Sequence, residues 1–151
     1  MIDIHKLNVD KSYFEKLTQI TPDMISIFDD SIPFLERTKA NNYQCVVVSD
    51  CGPDTGEYIK TSKIKNYFSK VYLSYEYRTT KKEELYDKML STINFNKDGL
   101  IMIGDDFERD FVIPRKKGIA AIFLDRSMKK SKSSEVIHNL TDLIELLKYE
   151  K

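Results

Sequence analysis

Three groups of residues in this 151-residue chain have types and spacing suited to phosphate chemistry with a hard cation. Val46-Val47-Val48 runs into Ser49-Asp50-Cys51-Gly52, and Leu100 to Ile103 runs into Gly104-Asp105-Asp106-Phe107-Glu108-Arg109-Asp110. Thr79-Thr80-Lys81-Lys82 lies between them. A serine hydroxyl can donate to a phosphate oxygen, helped by backbone N–H groups of a turn at Asp50 and Cys51. A lysine neutralises charge growing on a transferring phosphoryl group. Magnesium takes oxygen ligands in octahedral geometry, commonly from one or two carboxylates. Asp105, at the strand tip, is the first candidate ligand, with Asp106 and Asp110 to ligate or to orient. Each group alone has an ordinary explanation: Ser49 as a turn residue, the lysine facing solvent, Asp105 or Asp106 as a helix N-cap. Three aspartates within six residues repel one another, however, and the order of the three groups strengthens the chemical reading.

The elements that must position these residues are legible. Cys45 to Val48, Val71 to Leu73, Leu100 to Ile103 and Ile119 to Leu124 are short apolar runs without strict alternation, as strands buried on both faces of a parallel sheet read. They are separated by enough helical material for crossover connections rather than hairpins. Helices are expected over Asp30 to Ala40, with Pro33 in its first turn, and over Lys82 to Ile93, where Leu85, Met89, Leu90 and Ile93 share a face. Further helices are expected over Phe107 to Lys117, stopped by Gly118, and over Val136 to Lys148. Lys11 to Thr18 and Pro22 to Phe28 read as short helices, and Ile2 to Leu7 as a weak strand. The alternation predicts an open α/β sheet, in which ligands bind outside the carboxyl ends of the strands.

Lys+Arg and Asp+Glu both number 24, so the formal net charge is zero, which argues against bulk binding to nucleic acid or an anionic membrane. A hydrophobic fraction of 41% suffices for one core, and 151 residues suit one domain. The longest apolar runs fall well short of the roughly 20 residues that span a bilayer. Two cysteines, Cys45 and Cys51, fit a reducing compartment, so a cytoplasmic protein is expected. Arg126 to Ser134 is basic and serine-rich; it reads as a solvated loop, with steering of an anionic substrate as the lesser alternative. His5 and His138 are too isolated to suggest a metal site.

From about Asp30 to Arg126 the sequence resembles the haloacid dehalogenase-like (HAD) superfamily. Val46-Val47-Val48-Ser49 resembles the family's second motif, an apolar strand ending in a phosphate-binding Ser or Thr. Gly104-Asp105-Asp106 to Asp110 matches the fourth, GDD-x3-D, which contributes to magnesium binding. Pro114 to Ala120 resembles the helix end that follows it, and Ser74 to Tyr86 the segment carrying the third-motif lysine. The usual Lys-Pro pair is absent, so Lys81 is the first choice for that lysine and Lys82 the second. The resemblance implies a Rossmann-like parallel sheet with flanking helices and a magnesium-dependent phosphatase acting on a small phosphomonoester. Ser49, Lys81 and Asp105 would be its catalytic set, Ser49, Asp50 and Lys81 its phosphate site, and Asp105, Asp106 and Asp110 its metal site.

The family's first motif, D-x-D-x-T, which carries the nucleophilic aspartate, is not found. Asp10 and Asp29 are the two substitutes the sequence offers. The preferred reading takes residues 1–29 as the helical remnant of a cap and residues 30–151 as the α/β core. The first-motif strand is central in this family, so its absence predicts an unfilled slot beside the second- and fourth-motif strands. A second copy of the chain, a partner chain or residues 2–7 would fill it. The alternative function is a non-catalytic HAD-like module that binds a phosphorylated ligand or a partner protein. A receiver-like signalling domain places its acidic pair and lysine in the reverse order.

Overall fold

The structure, a computed structural model, describes residues 26–146. Its elements are α1 (Ser31–Ala40), β1 (Cys45–Ser49), α2 (Pro53–Thr61), β2 (Phe68–Leu73), α3 (Ser74–Tyr77), α4 (Leu85–Thr92), β3 (Ile101–Gly104), α5 (Ile113–Lys116), β4 (Ala120–Leu124), β5 (Val136–Ile137) and α6 (Thr141–Leu146). The expected mixed α/β architecture with parallel strands and flanking helices is present. The expected elements at Ile2 to Leu7 and Lys11 to Thr18 lie outside the described residues. Of the helix expected over Pro22 to Phe28, residues 26–28 are not helical.

The strands fall into two parallel groups, β1-β2 and β3-β4-β5. Val48 pairs with Tyr72, Ile103 with Ile122, and Phe123 with Val136. The two groups nevertheless form one layer, because each contributes to the same two apolar clusters. Val46 and Val48 of β1 and Met102 of β3 pack with Tyr72, Leu85, Tyr86, Met89 and Ile119 on one face. Cys45 and Ile103 pack with Phe34, Leu35, Ile122, Leu124, Ile137 and Leu143 on the other. Among the described residues no strand is hydrogen-bonded between β1 and β3. Leu85 is fully buried beneath β1, a placement worth about 1.5–3 kcal/mol.

Three expected helices are modified by local chemistry. The helix at Lys82 starts later, at Leu85, because Thr80 to Glu84 form a turn. In that turn Glu83 accepts the Thr80 N–H at 3.0 Å and both the Thr79 and Thr80 hydroxyls at 3.2 Å. Phe107 to Val112 winds wider than an α-helix before α5 begins. Pro114 accounts for this: it lacks an N–H, and its ring would clash with the Asp110 carbonyl four residues earlier in a regular helix. The helix expected from Val136 onward is corrected. Val136 and Ile137 form β5, pairing with Phe123 and Leu124, and the helical part begins at Thr141. Asn139 restarts the helix by accepting the Asp142 N–H at 3.0 Å, while Asp142 accepts the His138 N–H at 3.2 Å.

Candidate phosphate and metal site

β1 and β3 end in one shared cleft with a volume of about 330 Å³, lined by Ser49, Asp50, Lys81, Asp105, Asp106, Arg109 and Asp110. All six residues selected from the sequence therefore meet at one place. Lys81 and Lys82 are separated clearly. Lys81 is buried and faces the cleft, whereas Lys82 is exposed.

The lysine is held from two sides. Its Nζ donates to Asp110 Oδ1 at 2.5 Å, and its backbone N–H donates to Asp50 Oδ1 at 2.9 Å. Asp110 is 3% exposed, so this ion pair sits in a low-dielectric wall of the cleft. The other Asp110 oxygen, Oδ2, accepts the Asp106 N–H at 3.2 Å. Gly104 makes room for this carboxylate: a Cβ at position 104 would lie 2.3 Å from Asp110 Oδ2. Tyr86 closes the wall, its hydroxyl donating to the Arg109 carbonyl at 2.8 Å. Burial, reinforced by the Asp110 charge, pushes the Tyr86 hydroxyl pKa far up, so it remains a donor.

Asp106 caps the wide turn by accepting the Arg109 N–H at 2.8 Å, and its other oxygen is 2.9 Å from Arg109 Nε. The Arg109 N–H, with the nearby Arg109 and Lys81 charges, holds the Asp106 carboxyl below its ordinary pKa against some desolvation. Arg109 Nη1 also lies 3.4 Å from Asp50 Oδ2. Asp50 thus ties the Ser49 turn to both the lysine loop and the arginine turn, and its carboxylate serves cations. Only its backbone suits a phosphate.

The turn after β1 is pinned by Ser74. Its Oγ accepts the Cys51 N–H at 3.0 Å and donates to the Cys51 carbonyl at 3.2 Å. The Cys51 N–H, expected to help hold phosphate, is therefore already used. Burial pushes the Cys51 thiol pKa up despite a hydrogen bond with Ser49, so the thiol stays protonated. Gly56 in α2 permits the close approach of Tyr75, whose ring would lie 2.5 Å from a Cβ there.

Asp105 is exposed at the cleft mouth and has no hydrogen-bond or ion-pair partner among the described residues. Asp106 and Asp110, by contrast, are engaged by Arg109 and Lys81. No three His, Cys, Asp or Glu side chains converge as a ready metal cage among the described residues. The donor set still suits magnesium. Four aspartates face one lysine and one arginine in the cleft. That surplus of negative charge repels a phosphate unless a divalent cation accompanies it, and magnesium is commonly held by one carboxylate together with phosphate oxygens and water. Asp29 is exposed and does not line the cleft, and Asp10 lies outside the described residues. Arg109 and Tyr86 were given no role from the sequence, and Gly104 only a place in the GDD motif, because what they do arises from contacts made in the fold.

Comparison with known proteins bears on the family and the fold. The pattern of the haloacid dehalogenase-like hydrolases matches residues 2–124. No curated protein matches. Among solved structures, a HAD phosphatase from Thermococcus onnurineus superposes with a TM-score of 0.78 at 19% identity, covering 95% of this chain and 67% of its own. A putative HAD-hydrolase from Bacillus subtilis, bound to magnesium, gives 0.69 at 16% identity, covering 80% of this chain and 55% of its own. A 2-haloacid dehalogenase from Pseudomonas syringae pv. Tomato DC3000 gives 0.69 at 20% identity, with 82% and 54% covered. The chain thus spans about half to two thirds of the length of these three relatives. None of the described helices is long and apolar enough to cross a membrane.

Proposed function

The chain belongs to the haloacid dehalogenase-like hydrolases, and from that premise we propose that its cleft is the phosphate site of a magnesium-dependent phosphatase acting on a small phosphomonoester. The observation that carries this reading is the convergence of Ser49, Lys81 and Asp105 on one cleft at the carboxyl ends of β1 and β3. Ser49 donates its hydroxyl to a phosphate oxygen. Lys81, fixed by Asp110 and Asp50, neutralises charge on the phosphoryl group. Asp105 is the ligand offered to magnesium, with Asp106 and Asp110 orienting the surrounding cations. When bound, magnesium supplies further charge neutralisation at the phosphate oxygens.

An attacking group is still required, since positioning and charge stabilisation cannot replace a nucleophile. In the cleft, Asp50, Asp106 and Asp110 are committed to Lys81 and Arg109, and Asp105 to the metal role. The nucleophilic carboxylate therefore comes from outside the described residues. A strand between β1 and β3 would deliver it, from residues 2–7, a second copy or a partner chain; among the described residues none pairs there. The same shortage favours a second reading, a module that binds a phosphorylated ligand without hydrolysing it.

Hydrolysis of a chromogenic phosphomonoester with magnesium tests the proposal. Turnover is expected to be lost in Ser49→Ala and Lys81→Met. Loss in Asp10→Asn as well would place the nucleophile in this chain, and turnover only on adding a second chain would place it in a partner. Turnover unaffected by Ser49→Ala and Lys81→Met would overturn the assignment. Phosphate binding without turnover under any of these conditions would favour the binding module.

A further inference from the structure

The loop after β4 is built to a fixed shape at the same edge as the cleft. Gly104 pairs with Phe123, so the residues after Gly104 and after Phe123 leave the sheet side by side. Asp125, 5% exposed, uses both carboxylate oxygens on this loop, accepting the Ser127 hydroxyl at 2.6 Å and the Lys130 N–H at 2.7 Å. The Lys130 carbonyl lies 2.9 Å from His138 Nε2. Met128, at the tip, has a φ of 55°, a left-handed conformation that costs a side-chain-bearing residue energy and persists only where its surroundings impose it.

The result of this construction is a particular placement of charge. Lys130 Nζ stands 4.3 Å from the centre of the Phe107 ring. Phe107 is 41% exposed, stacks on Phe111, meets Phe123 edge-on, and directly follows Asp105 and Asp106 in the chain. Two other cations of the loop are neutralised, Arg126 by a two-pronged pair with Asp30 at 2.8 and 2.9 Å and Lys132 by Asp142 at 2.6 Å, while Lys129 is exposed and rests on no aromatic ring among the described residues. Lys130 has no carboxylate partner among the described residues and rests on an aromatic face, which leaves its charge available to a ligand.

We propose that Lys130, seated on Phe107, is a specificity-determining residue that binds a second anionic group on the substrate's leaving portion. This rests on the phosphate reading of the cleft and narrows its substrate class to phosphomonoesters that carry a further carboxylate or phosphate. The acidic cleft would admit the scissile phosphate with a divalent cation, and the cationic rim would select what is attached to it.

Calorimetric titration with magnesium present tests this, using short alkyl phosphates, the same compounds ending in a carboxylate, and inorganic phosphate. The carboxylate-bearing probes are expected to bind about tenfold more tightly than their plain counterparts, as a charge-assisted hydrogen bond allows. Lys130→Gln should abolish that gain and leave inorganic phosphate binding unchanged, while Lys129→Gln should leave the gain in place. Inorganic phosphate binding with no gain for the carboxylate, or a gain that survives Lys130→Gln, overturns the subsite alone. An equal loss in Lys129→Gln also overturns it, by showing a diffuse charge effect. Failure of every probe to bind, inorganic phosphate included, overturns the phosphate reading and the subsite with it.

Discussion

The Asp110 carboxylate lies directly against the Gly104 backbone, so closely that a Cβ at position 104 would sit 2.3 Å from Asp110 Oδ2. The strand tip and the buried anion that holds Lys81 are therefore a single packed unit. Gly104→Ala should force Asp110 away, destabilising the protein by about 1–3 kcal/mol as overpacked sites do. Gly99→Ala is the matched control, since a Cβ there meets nothing within 4 Å. Urea midpoints of the two variants measure the contrast, and equal midpoints would show that the Gly104 contact yields without cost.

The Lys81–Asp110 pair should be strongly coupled. Removing one partner leaves the other charge buried and unpaired, which costs about 3–5 kcal/mol. Lys81→Met and Asp110→Asn should each destabilise heavily, and the double variant by much less than their sum. A double-mutant cycle by chemical denaturation reads the coupling. Lys82→Met should shift stability by no more than about 0.5 kcal/mol, as exposed substitutions do.

How far the site was legible follows from these contacts. Ser49 and Asp105 were visible because each stands just past a buried apolar run, where an α/β sheet presents its ligand-binding edge. β1, β3 and β4 were visible for the same reason. β5 was not: two residues carry no periodicity, and Val136-Ile137 preceding Leu140 and Leu143 reads as part of a helix. α2 went unnoticed because its one buried residue is Gly56, which carries no apolar side chain to mark a helix face. The wide turn at Phe107 to Val112 depends on Pro114 acting four residues back. Lys81 was distinguished from Lys82 only by its buried partner, and Arg109 entered the site only through Asp50 and Asp106.

Acid should weaken the fold. The Arg109 N–H and nearby cations hold Asp106 below its ordinary value of 3.8. The Ser127 hydroxyl and Lys130 N–H do the same for Asp125. At Asp30, burial pushes upward, but Arg126 and the Leu140 N–H outweigh it. Stabilisation from a depressed carboxyl is complete above its unfolded pKa and is lost as pH falls through the folded one. Stability should therefore hold from neutrality to about pH 5 and fall below about pH 4. Urea midpoints across this range check it, and the acid limb should flatten in Asp30→Asn. Stability that rises on acidification would contradict the assignment.

Magnesium binding without phosphate should be weak and centred on Asp105. One free carboxylate makes a poor site by itself, whereas Asp106 and Asp110 are already paired. Magnesium titration of the wild type and Asp105→Asn should show the weak signal vanish in the variant. Equal binding by both would remove Asp105 from that role.

The cleft as a joint site for phosphate and a divalent cation is tested most directly by titrating inorganic phosphate with and without magnesium. The surplus of aspartates predicts that phosphate binds only when magnesium is present, and that Asp105→Asn and Lys81→Met each abolish the binding. Phosphate binding that is equally tight without magnesium, or that persists in both variants, would contradict the account.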